Sequence, residues 1–240
     1  MDAVSAGIKA LTLDLDDTLW PVWPTIERAE AQLHQWLQAH APRTAARFDV
    51  AALRQVRNAV ALAHPEMAHD FSWQRQTSIA LALREAGDDE ALAAAAFEVF
   101  FAERQRVDLY PDALAALQAL SSRWPLFALT NGNADLERMG LAHYFVGGLS
   151  AKAFGQGKPA PVFFHAACDH LRLAPYQVLH VGDDWALDIE GACGAGLAAA
   201  WICRPGHPTK PAGAQAQPWF EGGDLAQLVR ALGITPREPR

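Results

Sequence analysis

The apolar and polar positions divide the chain into a short strand, a long helical block and an alternating region. Residues 8–15, IKALTLDL, alternate and are rich in apolar residues, which predicts a β-strand that ends in an acidic cluster. From Thr25 onward apolar residues recur at helical spacing, and Thr25 is the expected N-cap of the first helix. Residues 25–106 contain no good strand pattern, so we expect this block to be entirely helical.

The chain after Tyr110 and Pro111 alternates between helical and strand patterns. A parallel sheet with helices on both faces is typical of such alternation. Strands are predicted at PLFALT, YFVGGLS, QVLHVGDD and AAAWIC. Helices are predicted at DALAALQALSSR, from about Ala134, at APVFFHAACDHL, at LDIEGACGAG and at GDLAQLVRALG, and a loop is predicted at RPGHPTKPAGAQAQP.

Because the first strand belongs with this sheet, the helical block is an insertion. We predict an α/β fold with a Rossmann-like parallel-sheet core, formed by residues 1–19 and 108–240, and an inserted α-helical cap domain at residues 20–107. The cap is expected to open and close about hinges near residues 18–24 and 105–111.

Composition and charge exclude several classes of protein. The 240 residues are 51% hydrophobic, enough for a substantial core, and 20 basic against 27 acidic residues give a net charge of -7. The sequence has no block of basic residues that would indicate a nucleic-acid partner, and it has no apolar run long enough for a membrane span. Three cysteines without CxxC spacing indicate neither a disulfide framework nor a zinc site. Since the N-terminus lacks a secretory leader pattern, we expect a cytoplasmic protein. We also expect a monomer or a homodimer.

Four clusters of polar residues lie at the ends of predicted strands or in the loops that connect the predicted elements. They are Asp14-Leu15-Asp16-Asp17-Thr18, Thr130-Asn131-Gly132-Asn133, Lys158 within GQGKPAP, and Gly182-Asp183-Asp184 with Asp188. Ligands bind beyond the carboxyl ends of the strands in sheets of this kind, so we expect these clusters to converge. Carboxylates gathered this closely repel one another and need a cation, and all-oxygen ligands suit Mg²⁺. The sequence therefore predicts a magnesium site.

A site of this composition can transfer a phosphoryl group. An aspartate, with a pKa of about 3.9 in peptides, is ionised at neutral pH and can attack phosphorus to form an aspartyl phosphate. A second carboxylate two residues on can protonate the leaving alkoxide and then deprotonate the attacking water. Thr130 and Lys158 are predicted to bind the phosphoryl oxygens, where a hydrogen bond and a cation oppose the negative charge.

The motifs DLDDT, FALTNG, GKP and VGDDWALD, in this order and with a helical insertion after the first, resemble the haloacid dehalogenase superfamily of phosphohydrolases. The resemblance spans nearly the whole chain. It implies that Asp14 is the nucleophile and Asp16 the general acid and base. It also implies that the Asp14 side chain, the Asp16 backbone carbonyl and the Asp183 side chain ligate Mg²⁺. Thr130 and Lys158 match the second and third motifs.

The fourth motif is ambiguous, because Asp184 and Asp188 could each supply the carboxylate that supports the metal site. We favour Asp188 for this role. In the second motif, Asn131 and Gly132 are predicted to contact the substrate.

A closer resemblance extends into the helical block. The segments ALTLDLDDTLW, LRQVRNAVALAHPEMAHDFSWQRQTSIALALREAG, RWPLFALTNGNADLERMGLAHYF and VLHVGDDWALDIEGACGAGLAAAWICRP are similar to bacterial phosphatases. Those enzymes act on 5-amino-6-(5-phospho-D-ribitylamino)uracil in riboflavin synthesis and also on FMN. The resemblance implies a small-molecule phosphate monoester as substrate.

Aromatic and polar residues of the helical block have two interpretations each. Trp20 and Trp23 follow the acidic cluster and could stack on a uracil or flavin ring, or could pack in the interior. Trp36 lies on an apolar helical stripe and is predicted to be core. Residues 64–75, HPEMAHDFSWQR, could contact the end of the substrate that lacks phosphate, or could form hydrogen bonds between helices.

Other functions use similar motifs. A broad-specificity phosphatase for sugar phosphates or nucleotides, or a phosphomutase, would keep all four motifs. A dehalogenase of the same fold needs neither Mg²⁺ nor a proton for the leaving group, so Asp16 and Asp183 argue against it. A phospho-aspartate signalling module is the non-enzyme alternative, and the large helical insertion after the first strand argues against that one.

Overall fold

The computed structural model describes residues 7–204, 206 and 210–234. The chain divides into two compact units, Met1–Pro21 with Asp108–Arg240, and Val22–Val107. Residues 1–6, which contribute to the expected absence of a leader, lie outside the described residues, as do residues 205 and 207–209 of the predicted Pro- and Gly-rich loop. The assignment of the first unit as a catalytic core and the second as a cap stays a prediction.

The first unit contains a parallel sheet of six strands in the order β3-β2-β1-β4-β5-β6. The strands are β1 (Ala10–Leu13), β2 (Leu126–Thr130), β3 (Gly147–Ser150), β4 (Val178–Gly182), β5 (Ala198–Ile202) and β6 (Phe220–Gly222). This architecture confirms the predicted α/β fold class. In this order the chain reverses its direction of travel across the sheet between β1 and β4, which is where ligands bind in doubly wound folds.

The central strands are completely buried because helices cover both faces of the sheet. Every residue of β1 and of β4 lies in the interior, and the strands read as almost continuous apolar runs. Thr12 and His180 are the polar exceptions in these two strands. They are register partners across the β1–β4 pair, so each supplies a hydrogen-bonding partner for the other.

The second unit is helical. Its α-helices are α1 (Val22–His40), α2 (Pro42–Arg47), α3 (Val50–Ala63), α4 (Phe71–Ala86) and α5 (Ala93–Arg104). Aspartate side chains accept hydrogen bonds from the first backbone N–H groups of two of these helices: Asp49 caps α3 and Asp70 caps α4. The core of this unit includes Leu33, Leu83 and Phe100, and Trp36 packs partly buried against it.

A partly buried ion-pair network joins three helices of this unit. Glu30 of α1 accepts hydrogen bonds from Arg54 of α3 and from Arg75 of α4, and Arg75 also lies over the ring of Phe100. Arg75 and Asp70 of the segment 64–75 are therefore used in joining and capping helices. The exposed Trp23 lies beneath the Arg54 guanidinium, 4.6 Å from ring centroid to carbon.

The helices of the first unit cover the sheet. They are α6 (Ala113–Ser121), α7 (Ala151–Phe154), α8 (Pro161–Leu171), α9 (Gly191–Gly194) and α10 (Leu225–Ala231), with a π-helical turn at Trp185–Glu190. Their core includes Phe163 and Phe164 of α8 and Ile189. Within the described part of the chain, no helix combines the length and the hydropathy needed to cross a bilayer.

Three local predictions were wrong. Helix α1 begins at Val22 and not after Thr25, because Pro24 is tolerated in the first helical turn, where its missing N–H needs no partner. The helix predicted from Ala134 is a run of turns in which Asp135 caps two backbone N–H groups and Gly140, at φ +72°, ends the segment. The three-residue strand β6 was not predicted.

Candidate active site

Three neighbouring strands bring the site together at their carboxyl ends. Asp14 directly follows β1, Thr130 ends β2 and Asp183 directly follows β4. The N–H of Asp14 donates to the carbonyl of Val181 at 2.9 Å, so the pairing of β1 with β4 continues up to the acid. One oxygen each of Asp14, Asp183 and Asp188 lie within 4.8 Å of one another.

Lys158 places its ammonium group among these carboxylates. Its Nζ lies 2.5 Å from Asp14 Oδ1 and 2.6 Å from Asp188 Oδ1, and all three side chains are buried. Lys158 belongs to the loop between α7 and α8. The Lys158 ammonium group can be buried because the two carboxylates lie beside it, since a buried ammonium is stable only with close anionic partners.

Asn131 fixes the backbone of Lys158. Its Oδ1 accepts from the Lys158 N–H at 2.7 Å, and its Nδ2 donates to the Lys158 carbonyl at 2.9 Å. Gly157 makes this approach possible, because a Cβ at that position would lie 2.3 Å from Asn131 Oδ1. In this structure the Asn131 amide holds the lysine loop, and the contact of Asn131 with the substrate stays a prediction.

Asp188 lies in the cluster and Asp184 does not. Asp188 accepts from Lys158 and from His180 Nε2 through Oδ1, and from the Asp184 N–H at 2.9 Å through Oδ2. Its carboxylate lies against Gly182, where a Cβ would come within 2.2 Å of Asp188 Cγ. The exposed Asp184 side chain caps the π-helical turn by accepting from the Leu187 N–H at 2.8 Å.

Two hydroxyl groups complete the strand ends. Thr18 Oγ1 donates to Asp183 Oδ1 at 2.9 Å. Thr130 Oγ1 accepts from the Gly132 N–H at 2.9 Å. The Gly132 N–H is thus bound to Thr130 in this structure, and the contact of Gly132 with the substrate stays a prediction. The buried Arg204 donates to the carbonyl of Thr18 at 2.8 Å and so supports the loop that follows Asp14.

Asp16 and Trp20 form a separate pair. The Trp20 indole N–H donates to Asp16 Oδ1 at 2.9 Å, across a turn in which Asp17 adopts the left-handed conformation at φ +57°. The Trp20 ring is completely buried, with 0% of its surface exposed, which contradicts the suggestion that it stacks on a substrate ring. Trp20 instead orients Asp16, whose side chain is not one of the three clustered carboxylates.

The carboxylates of the cluster differ in proton affinity. Burial, reinforced by the charge of Asp188, raises the pKa of Asp14 to about 7, although the Lys158 ammonium opposes the rise. Burial together with the charges of Asp14 and Asp188 raises the pKa of Asp183 to about 9. Burial acts on Asp188 too, but Lys158 and the His180 hydrogen bond outweigh it and hold the pKa of Asp188 below its usual range.

The donor set fits a divalent cation that prefers oxygen. Three carboxylates face one ammonium in this cluster, and two of them have raised pKa values because they are buried and lie close to other negative charges. A hard cation such as Mg²⁺ takes one or two carboxylates and fills its other positions with water or phosphate oxygens. Asp14 and Asp183 are the residues suited to hold it, since Asp188 is already bound by three donors.

Residues 8–196 match the family of haloacid dehalogenase-like hydrolases. The chain belongs to this family. It is 38% identical over 199 residues to the 5-amino-6-(5-phospho-D-ribitylamino)uracil phosphatase YigB of Escherichia coli, covering 81% of this chain and 83% of that protein. It is also 38% identical over 159 residues to the phosphoserine phosphatase of Thermus thermophilus, covering 64% and 63%. These matches confirm the predicted family and enzyme class, a phosphatase.

A solved structure also resembles this haloacid dehalogenase-like hydrolase. The crystal structure of a 2-haloacid dehalogenase from Pseudomonas syringae pv. Tomato superposes with a TM-score of 0.85 at 37% identity, over 94% of this chain and 98% of that one. The shared fold extends over both compact units of the chain.

His180 is the residue of this haloacid dehalogenase-like hydrolase that the motifs did not reveal. It is completely buried in β4 and contacts Asp188 and Thr12. Burial lowers the pKa of His180 below its usual range, although Asp188 opposes the effect. The available signal was a single polar residue inside the apolar strand VLHVG.

Proposed function

We propose that the chain is a Mg²⁺-dependent phosphomonoester hydrolase that works through a phosphoryl intermediate on Asp14. The observation that carries the proposal is the buried contact of Lys158 with Asp14 and Asp188, beside Asp183, at the carboxyl ends of adjacent parallel strands. A nucleophile, a cation for the phosphoryl oxygens and carboxylates for a metal are thereby present within one cluster.

In the first step Asp14 attacks phosphorus. A bond forms between an Asp14 carboxylate oxygen and phosphorus while the ester bond breaks, and the bonding electron pair leaves with the alkoxide oxygen. Asp16 donates a proton to that oxygen, and the Trp20 hydrogen bond fixes the rotamer from which it does so. Lys158 and the Thr130 hydroxyl, whose hydrogen is available because it accepts from Gly132, bind the phosphoryl oxygens.

In the second step water regenerates the enzyme. Asp16, now ionised, removes a proton from a water molecule that attacks phosphorus, and the bond to Asp14 breaks with its electron pair returning to the carboxylate. Inorganic phosphate is released. Asp14, Asp183 and the Asp16 carbonyl would hold Mg²⁺, which would supply positive charge to oppose that of the carboxylates and the phosphoryl oxygens.

For the substrate we propose 5-amino-6-(5-phospho-D-ribitylamino)uracil, FMN or both. Support comes from the Escherichia coli relative that is named for the first compound and matches 81% of this chain. Other relatives are named for phosphoserine, glyceraldehyde 3-phosphate and phosphoglycolate, so a broader specificity is the main alternative.

Dehalogenation is a second candidate, because the Pseudomonas structure carries that name at 37% identity. In that reaction an aspartate displaces halide from carbon, which requires neither a proton donor nor a metal. Such a reaction needs no proton donor like the Asp16–Trp20 pair for its leaving group and no metal between Asp14 and Asp183; a carboxylate would serve only to activate the water that hydrolyses the ester intermediate. These two features favour phosphate ester hydrolysis.

The test measures phosphate release from the two flavin-pathway compounds, phosphoserine, a hexose phosphate and a nucleotide, with Mg²⁺ and with EDTA. Chloride release from 2-chloropropionate is measured in parallel. We expect Mg²⁺-dependent phosphate release with preference for the flavin-pathway compounds. Equal turnover of all esters contradicts the substrate proposal, and chloride release that persists in EDTA contradicts the phosphatase proposal.

A further inference from the structure

We propose that His180 is a positioning residue for the phosphate-binding lysine, acting through Asp188; the proposal rests on the phosphatase function above. His180 touches neither Lys158 nor Asp14 in the hydrogen bonds of the site. It lies two residues before Gly182, the last residue of β4, and its imidazole is completely buried. Its two ring nitrogens are both engaged, with Thr12 Oγ1 at 2.9 Å and Asp188 Oδ1 at 3.0 Å.

The hydrogen-bond partners determine the tautomer of His180. An ionised carboxylate only accepts, so the nitrogen that contacts Asp188, Nε2, carries the hydrogen. In the neutral ring Nδ1 is then an acceptor, and the Thr12 hydroxyl donates to it. Thr12 is the register partner of His180 in the sheet, so the backbone of β1 and β4 sets this contact.

Asp188 connects His180 to Lys158, because it accepts hydrogen bonds from both. Its Oδ1 is shared by His180 Nε2 and Lys158 Nζ, and its Oδ2 is bound by the Asp184 N–H. The Lys158 ammonium therefore has a fixed anchor on one side, while its other partner, Asp14, is the proposed nucleophile. Without the His180 donor, the Asp188 carboxylate keeps the Asp184 N–H on Oδ2 but loses the contact that fixes Oδ1, the oxygen that faces Lys158.

Packing is the competing explanation for His180. The imidazole meets Phe164 edge to face, with ring centroids 5.1 Å apart, and a buried histidine can serve the core alone. The two explanations differ in what they require of a substitute. A packing role needs volume, whereas a positioning role needs an N–H directed at Asp188.

The experiment compares His180→Gln, which keeps a side-chain N–H donor, with His180→Leu, which keeps apolar volume. Thr12→Ser and Thr12→Val form the matched pair at the other end of the chain of hydrogen bonds. For each variant kcat, KM and the thermal midpoint are measured. The control is Thr44→Val in the helical unit, which removes a buried hydroxyl bond to Asp88 and is expected to lower the midpoint without changing kcat.

We expect His180→Leu to lower kcat about 10- to 100-fold, the range seen when partners of site ligands are removed, with a smaller change in KM. His180→Gln is expected to recover most of kcat, although its thermal midpoint is as low as that of the leucine variant. Thr12→Val is expected to lower kcat in the parent and to have no further effect on His180→Leu. Leucine and glutamine variants with equal kcat contradict the proposal.

A spectroscopic measurement tests the position of the His180 hydrogen independently of whether the protein is a phosphatase. The imidazole ¹⁵N spectrum of the wild-type protein is expected to show a neutral Nε2–H tautomer for His180. An Nδ1–H tautomer overturns the hydrogen-bond chain even if the enzyme is an active phosphatase. A wild-type protein that hydrolyses no phosphate ester overturns the proposed function, and the positioning role with it, whatever tautomer is found.

Discussion

The Asn131 side chain forms two hydrogen bonds with the backbone of Lys158: it accepts from the Lys158 N–H at 2.7 Å and donates to the Lys158 carbonyl at 2.9 Å. The position of the ammonium group therefore depends on a side chain that follows β2. A loop lysine of this kind would otherwise sample many conformations, and an ordered one has already lost that entropy before substrate binds.

Asn131→Ala is expected to impair the enzyme by loosening Lys158. Both hydrogen bonds to the loop are lost, which should lower the free energy of unfolding by about 1 to 3 kcal/mol. Steady-state kinetics should show a raised KM as well as a lowered kcat, because Lys158 is proposed to bind the phosphoryl group in ground and transition states. The exposed Asn58→Ala provides a control in the helical unit. Unchanged kinetics in Asn131→Ala would contradict the proposed role of the lysine loop.

Asp14→Asn is expected to abolish turnover, by about 10⁴-fold or more, because a neutral amide is a poor nucleophile towards phosphorus. Phosphate release and mass spectrometry of the trapped intermediate provide the measurement. Asp169→Asn, which alters an exposed acid of α8, is the matched control and should retain full activity. Activity in the Asp14 variant close to that of the parent would remove the proposed nucleophile.

Asp16→Asn is expected to slow both steps about 10²- to 10⁴-fold while Mg²⁺ affinity is retained. The reason is that the Asp16 side chain lies outside the clustered carboxylates and binds the Trp20 indole. Calorimetric titration with Mg²⁺ checks the second half of this expectation. A collapse of metal affinity would show that the Asp16 carboxylate is a metal ligand and not the general acid.

The raised pKa values of Asp14, about 7, and Asp183, about 9, predict a pH-dependent stability. A carboxyl group whose pKa is higher in the folded than in the unfolded state stabilises the fold at low pH. That stability is lost as the pH rises through the folded pKa. In EDTA the thermal midpoint should therefore fall as the pH rises from about 4, the usual carboxyl pKa, to 9. Between pH 7 and pH 9 the fall comes mainly from Asp183, because the contribution of Asp14 is lost by about pH 7 and the lowered pKa of Asp188 acts only at much lower pH.

Mg²⁺ should raise the midpoint, and more at the upper than at the lower end of this range, because it binds the ionised carboxylates. Asp183→Asn should flatten the pH dependence in EDTA and remove most of the Mg²⁺ effect. A midpoint in EDTA that rises between the two pH values would contradict the raised pKa values.

Gly182→Ala is expected to displace Asp188, because the added Cβ would lie 2.2 Å from Asp188 Cγ. Backbone and carboxylate cannot both keep their positions, so kcat should fall at least about tenfold with loss of stability. Gly194→Ala, where a Cβ meets nothing within 4 Å, is the control. An unaffected Gly182 variant would show that Asp188 can move without consequence.

The sequence predicted the sheet and the convergence of the charged residues because both depend on local patterns. Buried strands appear as apolar runs, and residues that directly follow parallel strands, such as Asp14 and Asp183, must meet at one edge. The preference for Asp188 over Asp184 agrees with the cluster, but it did not follow from these patterns, since the π-helical turn directs one residue inward and the other to solvent.

Side-chain partners were harder to predict than positions. Asn131 and Trp20 lie in the predicted segments, but their hydrogen bonds are to Lys158 and Asp16. Those contacts depend on loop paths that periodicity does not specify. His180 belongs to no motif, and its role follows only from the register that sets it opposite Thr12.

Lys158 contacts residues that are far apart in the sequence. Asp14 comes from the first crossover, Asn131 from the second and Asp188 from the turn after β4, and each touches the same residue. A folding intermediate that has paired only β1 with β2 contains no complete site. Recovery of turnover during refolding therefore reports the assembly of β1, β2 and β4 with the Lys158 loop, and not the formation of any one strand pair.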